Sequence, residues 1–168
     1  MITLLAKLLK ILNSDDSPIQ ISLAIALAAI MGLTPLNAPH NLLLLIILLI
    51  VRVNLPAFLL SLGVFTLFAY AVDPLSESLG YWVLQAPSLQ GLWTALYQSS
   101  FWRLLGYNNT LILGSLLLSL ALSPFIVIIG RLLIIQYREK LLAMVNKSRI
   151  ALWLKSGKIF NAYQQLQA

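Results

Sequence analysis

The chain contains no cysteine, and that absence removes disulfides, thiolate metal sites and cysteine nucleophiles together. It has a single histidine, His40, so a multi-histidine metal site is excluded as well. Charge is scarce: 10% of the 168 residues are Asp, Glu, Lys or Arg, against about 25% in a soluble domain. Between Ser17 and Tyr137 the only charged side chains are Arg52, Asp73, Glu77, Arg103 and Arg131. What fills the space is apolar, at 60% of the chain, with a mean hydropathy of +0.91. Such a chain is expected in a lipid bilayer, as an all-α polytopic membrane protein. The net charge of +6 resides at the two ends and reads as orientation and lipid contact, not nucleic-acid binding.

Ser17 to Val51 is free of charge, yet Thr34-Pro35-Leu36-Asn37-Ala38-Pro39-His40-Asn41 interrupts it halfway. Proline removes an N–H donor and disfavours helix in the residue before it, so this run cannot be one straight helix. The first arm, residues 19–33, spans about 22 Å and the second, residues 42–51, about 15 Å, both short of a hydrocarbon core of about 30 Å. The expectation is a Pro-broken hairpin over 18–52 that dips in and returns to the same side; two thin full spans are the alternative.

The rest of the chain divides around that hairpin. Residues 1–16 form an expected interfacial helix, with Leu5, Leu8, Leu9 and Leu12 on one face and Thr3, Lys7 and Lys10 opposite. Packing of that helix on its own bundle is the other reading. We expect mature protein from the first residue, because Asp15 and Asp16 separate the lysines from the apolar run. Ser17-Pro18 is a helix start, as N-cap and N1. A span is expected over 55–72, stopped at Asp73-Pro74, then an aromatic interfacial segment over 75–107 holding Tyr81, Trp82, Trp93, Tyr97, Phe101, Trp102 and Tyr107. A second span over 108–136, bent at Ser123-Pro124, leads to a basic tail over 137–168 that Gly157 divides. That tail carries Arg138, Lys140, Lys147, Arg149, Lys155 and Lys158 against Glu139 and is expected in the cytoplasm, where Lys7 and Lys10 put the N-terminus too.

Three sets of residues are candidates for function. Thr34, Asn37, His40 and Asn41, with Asn54 near in sequence, form a candidate polar site at the hairpin tip; the alternative is a tip stabilised by its own turn bonds. Ala24, Ala28 and Gly32 on the first arm and Ser115, Ser119 and Ser123 on the last span recur every four residues, a pattern for close helix packing with interhelical hydrogen bonds, internal or with a partner. Lys7, Lys10, Arg52, Arg131 and Arg138 are candidate lipid-headgroup contacts, Arg52 being equally an interfacial anchor. The echo of Leu33-Thr34-Pro35-Leu36 in Leu122-Ser123-Pro124-Phe125 is too short to establish a repeat. No nucleophile–base pair or metal set stands out, so neither an enzyme nor a cofactor is expected.

Gly32-x-x-Pro35, then Pro39 and Asn41, then Arg52-Val53-Asn54, resembles a family of small uncharacterised bacterial inner-membrane proteins, domain of unknown function 2062. The resemblance covers roughly residues 15–140. Asn37 and Pro39 flank a position where that family often has Gly, and His40 stands where Gln is usual. One branch looks like a protein encoded beside a large envelope protein, which implies such a protein as partner, next to the bilayer itself. A homo-oligomer remains compatible. The expected function is a non-enzymatic subunit that anchors or assists that partner in lipid transport or envelope maintenance. A small transporter or channel using the hairpin tip is the rival.

Overall fold

The computed structural model describes residue 7, residues 10–12 and residues 14–141. Among these, every regular element is helical. Helix α1 is Pro18–Leu33, α2 is His40–Ile50, α3 is Leu55–Gln85, α4 is Gln90–Gln98, α5 is Ser100–Leu104 and α6 is Thr110–Gln136. A 3-10 turn, Pro87–Leu89, precedes α4, and a π turn, Tyr137–Leu141, follows α6. The expected stripe through Thr3, Leu5, Leu8 and Leu9, and the tail beyond residue 141, lie outside the described residues.

Helix starts are where local chemistry puts them. Ser17 Oγ accepts from the Gln20 backbone N–H while the Gln20 side chain accepts from the Ser17 N–H, a reciprocal capping box with Pro18 at the first helical position. Asn54 Oδ1 accepts from the Ala57 N–H at 2.7 Å to start α3, and Asn109 Oδ1 from the Ile112 N–H at 3.1 Å to start α6.

Helices α1, α3 and α6 pack on one another, and α1 is the core of the three. Ile21, Ser22, Ala24, Ala28 and Ala29 are fully buried. Gly32 lets α1 lie against α3, since a Cβ there would come within 2.8 Å of Phe65 Cβ and 3.1 Å of the Leu62 carbonyl. Ser22 of α1 lies beside Gly130 near the far end of α6. Thus α1 and α3 run in the same direction and α6 returns against both.

Two helices are long and apolar enough to cross a membrane: α3, and α6 continued through its π turn to Lys140. They are mostly exposed, 11% and 22% buried over their most apolar windows, the reverse of a core helix in a water-soluble protein. The expected stop at Asp73-Pro74 does not occur; α3 runs through Pro74 to Gln85, about 46 Å in all. Proline forfeits one backbone hydrogen bond, but the turns beyond it are held from outside. Ser76 and Gly80 are buried against Thr110 and Gly114 of α6, and a Cβ on either glycine would overlap backbone of the facing helix. Residues 75–85 therefore belong to the long helix, and the separate aromatic segment begins at Pro87.

The hairpin closes on itself. Asn54, after α2, donates to the Asp16 carboxylate, before α1, so both ends of the segment meet at one end of the bundle. That end also holds Arg138, whose Nε and Nη2 donate to the Leu12 and Ser14 carbonyls at 2.9 Å each. We call it the basic end; Trp93, Phe101, Trp102 and Tyr107 mark the opposite, aromatic end. Helix α2 is little covered: beyond His40 and Asn41 its residues are exposed or half-buried, with Leu49 84% and Ile50 75% exposed.

Candidate functional site

The turn between α1 and α2 is built from backbone bonds, Ala38 N–H to Pro35 O at 2.8 Å and Asn41 N–H to Ala38 O at 3.0 Å. Asn41 then ties the turn together. Its Nδ2 donates to the Pro35 and Leu36 carbonyls at 2.9 and 3.2 Å, carbonyls that prolines and the turn leave without helical partners. Thr34 Oγ1 has one proton to place and lies within 3.0 Å of Ile30 O, 3.1 Å of Met31 O and 3.2 Å of Asn41 Oδ1. Thr34 and Asn41 are both buried, and their polar atoms are used by the tip itself. Asn37 stands exposed on the outer surface of the turn.

His40 is different. The imidazole is 4% exposed, and neither Nδ1 nor Nε2 has a hydrogen-bond partner. Its ring lies parallel to Tyr107, 14° between planes and 6.4 Å between centroids. A buried imidazole nitrogen without a partner costs about 1–3 kcal/mol, so His40 is the one place at the tip where polar capacity exceeds what the fold uses.

Tyr107 connects the tip to the aromatic end. Gly106 has φ +72°, a left-handed conformation that turns the chain so that Tyr107 points back toward the bundle. Trp102 approaches Tyr107 at 6.1 Å and Phe101 edge-on at 5.6 Å from Trp102. Tyr107 also lines a cleft of about 320 Å³ with Trp93, Tyr97, Trp102, Arg103 and Asn108 among its walls. Burial pushes the Tyr107 hydroxyl above its ordinary pKa, which keeps it a neutral donor. The aromatic density of this segment was visible in the sequence; that Tyr107 stacks on His40 of the hairpin tip was not.

Asn54 does not join the tip. It sits at the basic end, capping α3 and donating to Asp16. Of the packing ladders, Ala24, Ala28 and Gly32 are buried where α1 meets its neighbours, and Ser115 and Ser119 are fully buried while Ser123 is only half-buried. The serine hydroxyls donate to carbonyls of their own helix, Ser115 to Leu111 O at 2.6 Å and Ser119 to Leu116 O at 3.0 Å, rather than across to another helix. The seam that sequence reading missed is Ser76-x-x-x-Gly80 facing Thr110-x-x-x-Gly114, small residues at the same four-residue spacing. Lys7 and Lys10 border a groove at the basic end floored by Leu55, Pro56, Leu59 and Leu60. Arg52 and Arg131 are exposed, whereas Arg138 is spent on the Leu12 and Ser14 carbonyls.

A family model described as an uncharacterised protein conserved in bacteria, DUF2062, matches residues 3–142. The chain belongs to the DUF2062 family. A relative in Treponema pallidum (strain Nichols), titled an uncharacterised protein, is 34% identical over 116 residues, 69% of this chain and 72% of its own length. No solved structure matches. The three-helix core, the hairpin tip and the aromatic cleft of this DUF2062 protein all fall inside the family match.

Proposed function

We propose that the protein is a non-enzymatic subunit of the bacterial inner membrane that anchors or assists a larger envelope protein, in the setting of lipid transport or envelope maintenance. Helices α3 and α6 cross the bilayer in this reading. The 18–52 hairpin enters from the cytoplasmic face and returns, and both termini stay in the cytoplasm. Lys7, Lys10, Arg52, Arg131 and Arg138 gather toward one end, while Arg103 is the sole basic residue between Val53 and Gly130, an asymmetry that supports this orientation.

The observation that carries the reading is α2. Thr34, Asn41, Asn54, Ser115 and Ser119 spend their polar groups inside the chain, which leaves little chemistry on display. What the fold leaves uncovered is an arm of 11 residues, apolar on nearly every side. At about 16 Å it is too short to span, so a helix of another membrane protein is its natural cover. The resemblance to a branch encoded beside a large envelope protein points the same way. Single cysteines at Leu43 and Leu49, introduced into a chain that has none, test this by cross-linking in native membranes. A larger envelope protein captured in near one-to-one ratio is the expected result; a homogeneous protein with no partner after mild detergent extraction and cross-linking contradicts it.

His40 favours a second reading, a small transporter or channel whose binding site is the hairpin tip. Under that reading His40→Ala and Asn37→Ala abolish transport by reconstituted protein while assembly is kept. Asn54, at the other end, affects stability alone.

A further inference from the structure

The cleft at the aromatic end has a composition that the subunit reading does not use. Its walls include Trp93, Tyr97, Trp102 and Tyr107, with Arg103 among them. Among the described residues, the Arg103 guanidinium makes one hydrogen bond, from Nη2 to Ser100 Oγ at 3.1 Å, and rests over the Tyr97 ring at 5.8 Å. A guanidinium carries five N–H donors, so most of the capacity of this exposed cleft-lining arginine is without a protein acceptor. Behind Tyr107, which forms part of the wall, lies His40 with both nitrogens buried and unpartnered.

We propose that this cleft seats the anionic headgroup of a phospholipid from the leaflet at the aromatic end. Arg103 takes the phosphate and the aromatic walls take the glycerol and upper acyl carbons. Charge complementarity selects the occupant: one cation, set among aromatic and leucine walls with only the neutral polar Thr94, Gln98 and Asn108 besides, on the side of the molecule with no other basic residue, matches one anionic group attached to an apolar body. The position also suits a headgroup, because Tyr107 to Asn109 precede α6 while Arg138 follows it, about 40 Å away along that helix. The inference rests on the bilayer placement proposed above and is independent of the protein partner.

The test uses the full chain in neutral detergent, with Gln98→Cys at the cleft lining carrying a small environment-sensitive fluorophore. Phosphatidylglycerol, diacylglycerol of the same chains and inorganic phosphate are titrated separately. Phosphatidylglycerol is expected to shift the emission at about tenfold lower concentration than diacylglycerol, which lacks the phosphate, given a charge-assisted contact to one arginine. Arg103→Ala is expected to erase that preference and Arg103→Lys to keep part of it. Equal response to the two lipids, or an Arg103→Ala variant with normal helicity and elution that still prefers phosphatidylglycerol, overturns the site. Saturation by inorganic phosphate alone overturns the lipid as occupant. Capture of the envelope partner through α2 is scored on the same variants, so loss of one reading does not masquerade as loss of the other.

Discussion

Gly63→Ala and Gly80→Ala make the same chemical change in the same helix, and the structure predicts opposite signs for them. At Gly63 nothing lies within 4 Å of where a Cβ would be, so the substitution gains helix propensity, about 0.5–1 kcal/mol. At Gly80 the added methyl would overlap the Thr110 carbonyl oxygen and come within 2.7 Å of its carbon and 3.0 Å of the Gly114 nitrogen. Those are backbone atoms of α6, which cannot rotate away as a flexible side chain can. To reach ordinary van der Waals contact the two helices must separate, and Ser76, Gly114 and Thr110 lose their packing together. Overpacking of this kind costs about 1–3 kcal/mol, which exceeds the propensity gain. The net expectation is a stabilised Gly63→Ala and a Gly80→Ala destabilised by about 1–2 kcal/mol. Reversible unfolding of the detergent-solubilised protein in rising dodecyl sulfate, followed by helicity and tryptophan emission, measures both. A Gly80→Ala variant as stable as wild type, or equal destabilisation of the two, would refute the close α3–α6 approach.

Other consequences follow from single contacts. Asn41→Leu removes the side-chain donor to the Pro35 and Leu36 carbonyls; Pro35 O keeps the Ala38 N–H and Leu36 is exposed, so the loss should be about 1 kcal/mol in the same unfolding assay. Ser115→Ala should change stability by less than about 0.5 kcal/mol, because the hydroxyl serves its own helix, whereas Ser115→Leu should be strongly destabilising at this fully buried position. Arg138→Ala should release residues 12–14 from the end of α6, read as faster amide exchange in that segment with protection of α1 retained.

Features set by neighbours along the chain were legible in its residues alone. Ser17-Pro18 announces a helix start because the cap and its partner Gln20 are three residues apart, and the Pro35–Pro39 break ends α1 by removing donors locally. The Ala24, Ala28 and Gly32 face was readable for the same reason, as a spacing along one helix. Features set by contacts between distant segments were not. Pro74 looked like a terminus because its local cost, about 3 kcal/mol, gives no hint that Ser76 and Gly80 meet Thr110 and Gly114 thirty residues later. Asn54 was grouped with the hairpin tip by proximity in sequence, yet a hairpin places its last residue beside its first, at Asp16. Arg138 had the composition of a headgroup contact, and only the return of α6 to the basic end gives it the Leu12 and Ser14 carbonyls instead. At the site, Thr34 and Asn41 were identified as polar, but which of them the turn itself consumes, and that His40 is left over against Tyr107, depends on three-dimensional packing.

The central claim is that residues 18–52 enter the bilayer and return to the side they left, between two helices that cross it. Single cysteines at Asp15, Arg52 and Ser88, probed with a membrane-impermeant maleimide in spheroplasts and in inverted vesicles, test it directly. The account predicts that Asp15→Cys and Arg52→Cys label together in inverted vesicles and Ser88→Cys labels only in spheroplasts. Labelling of Asp15→Cys and Arg52→Cys from opposite sides would contradict it.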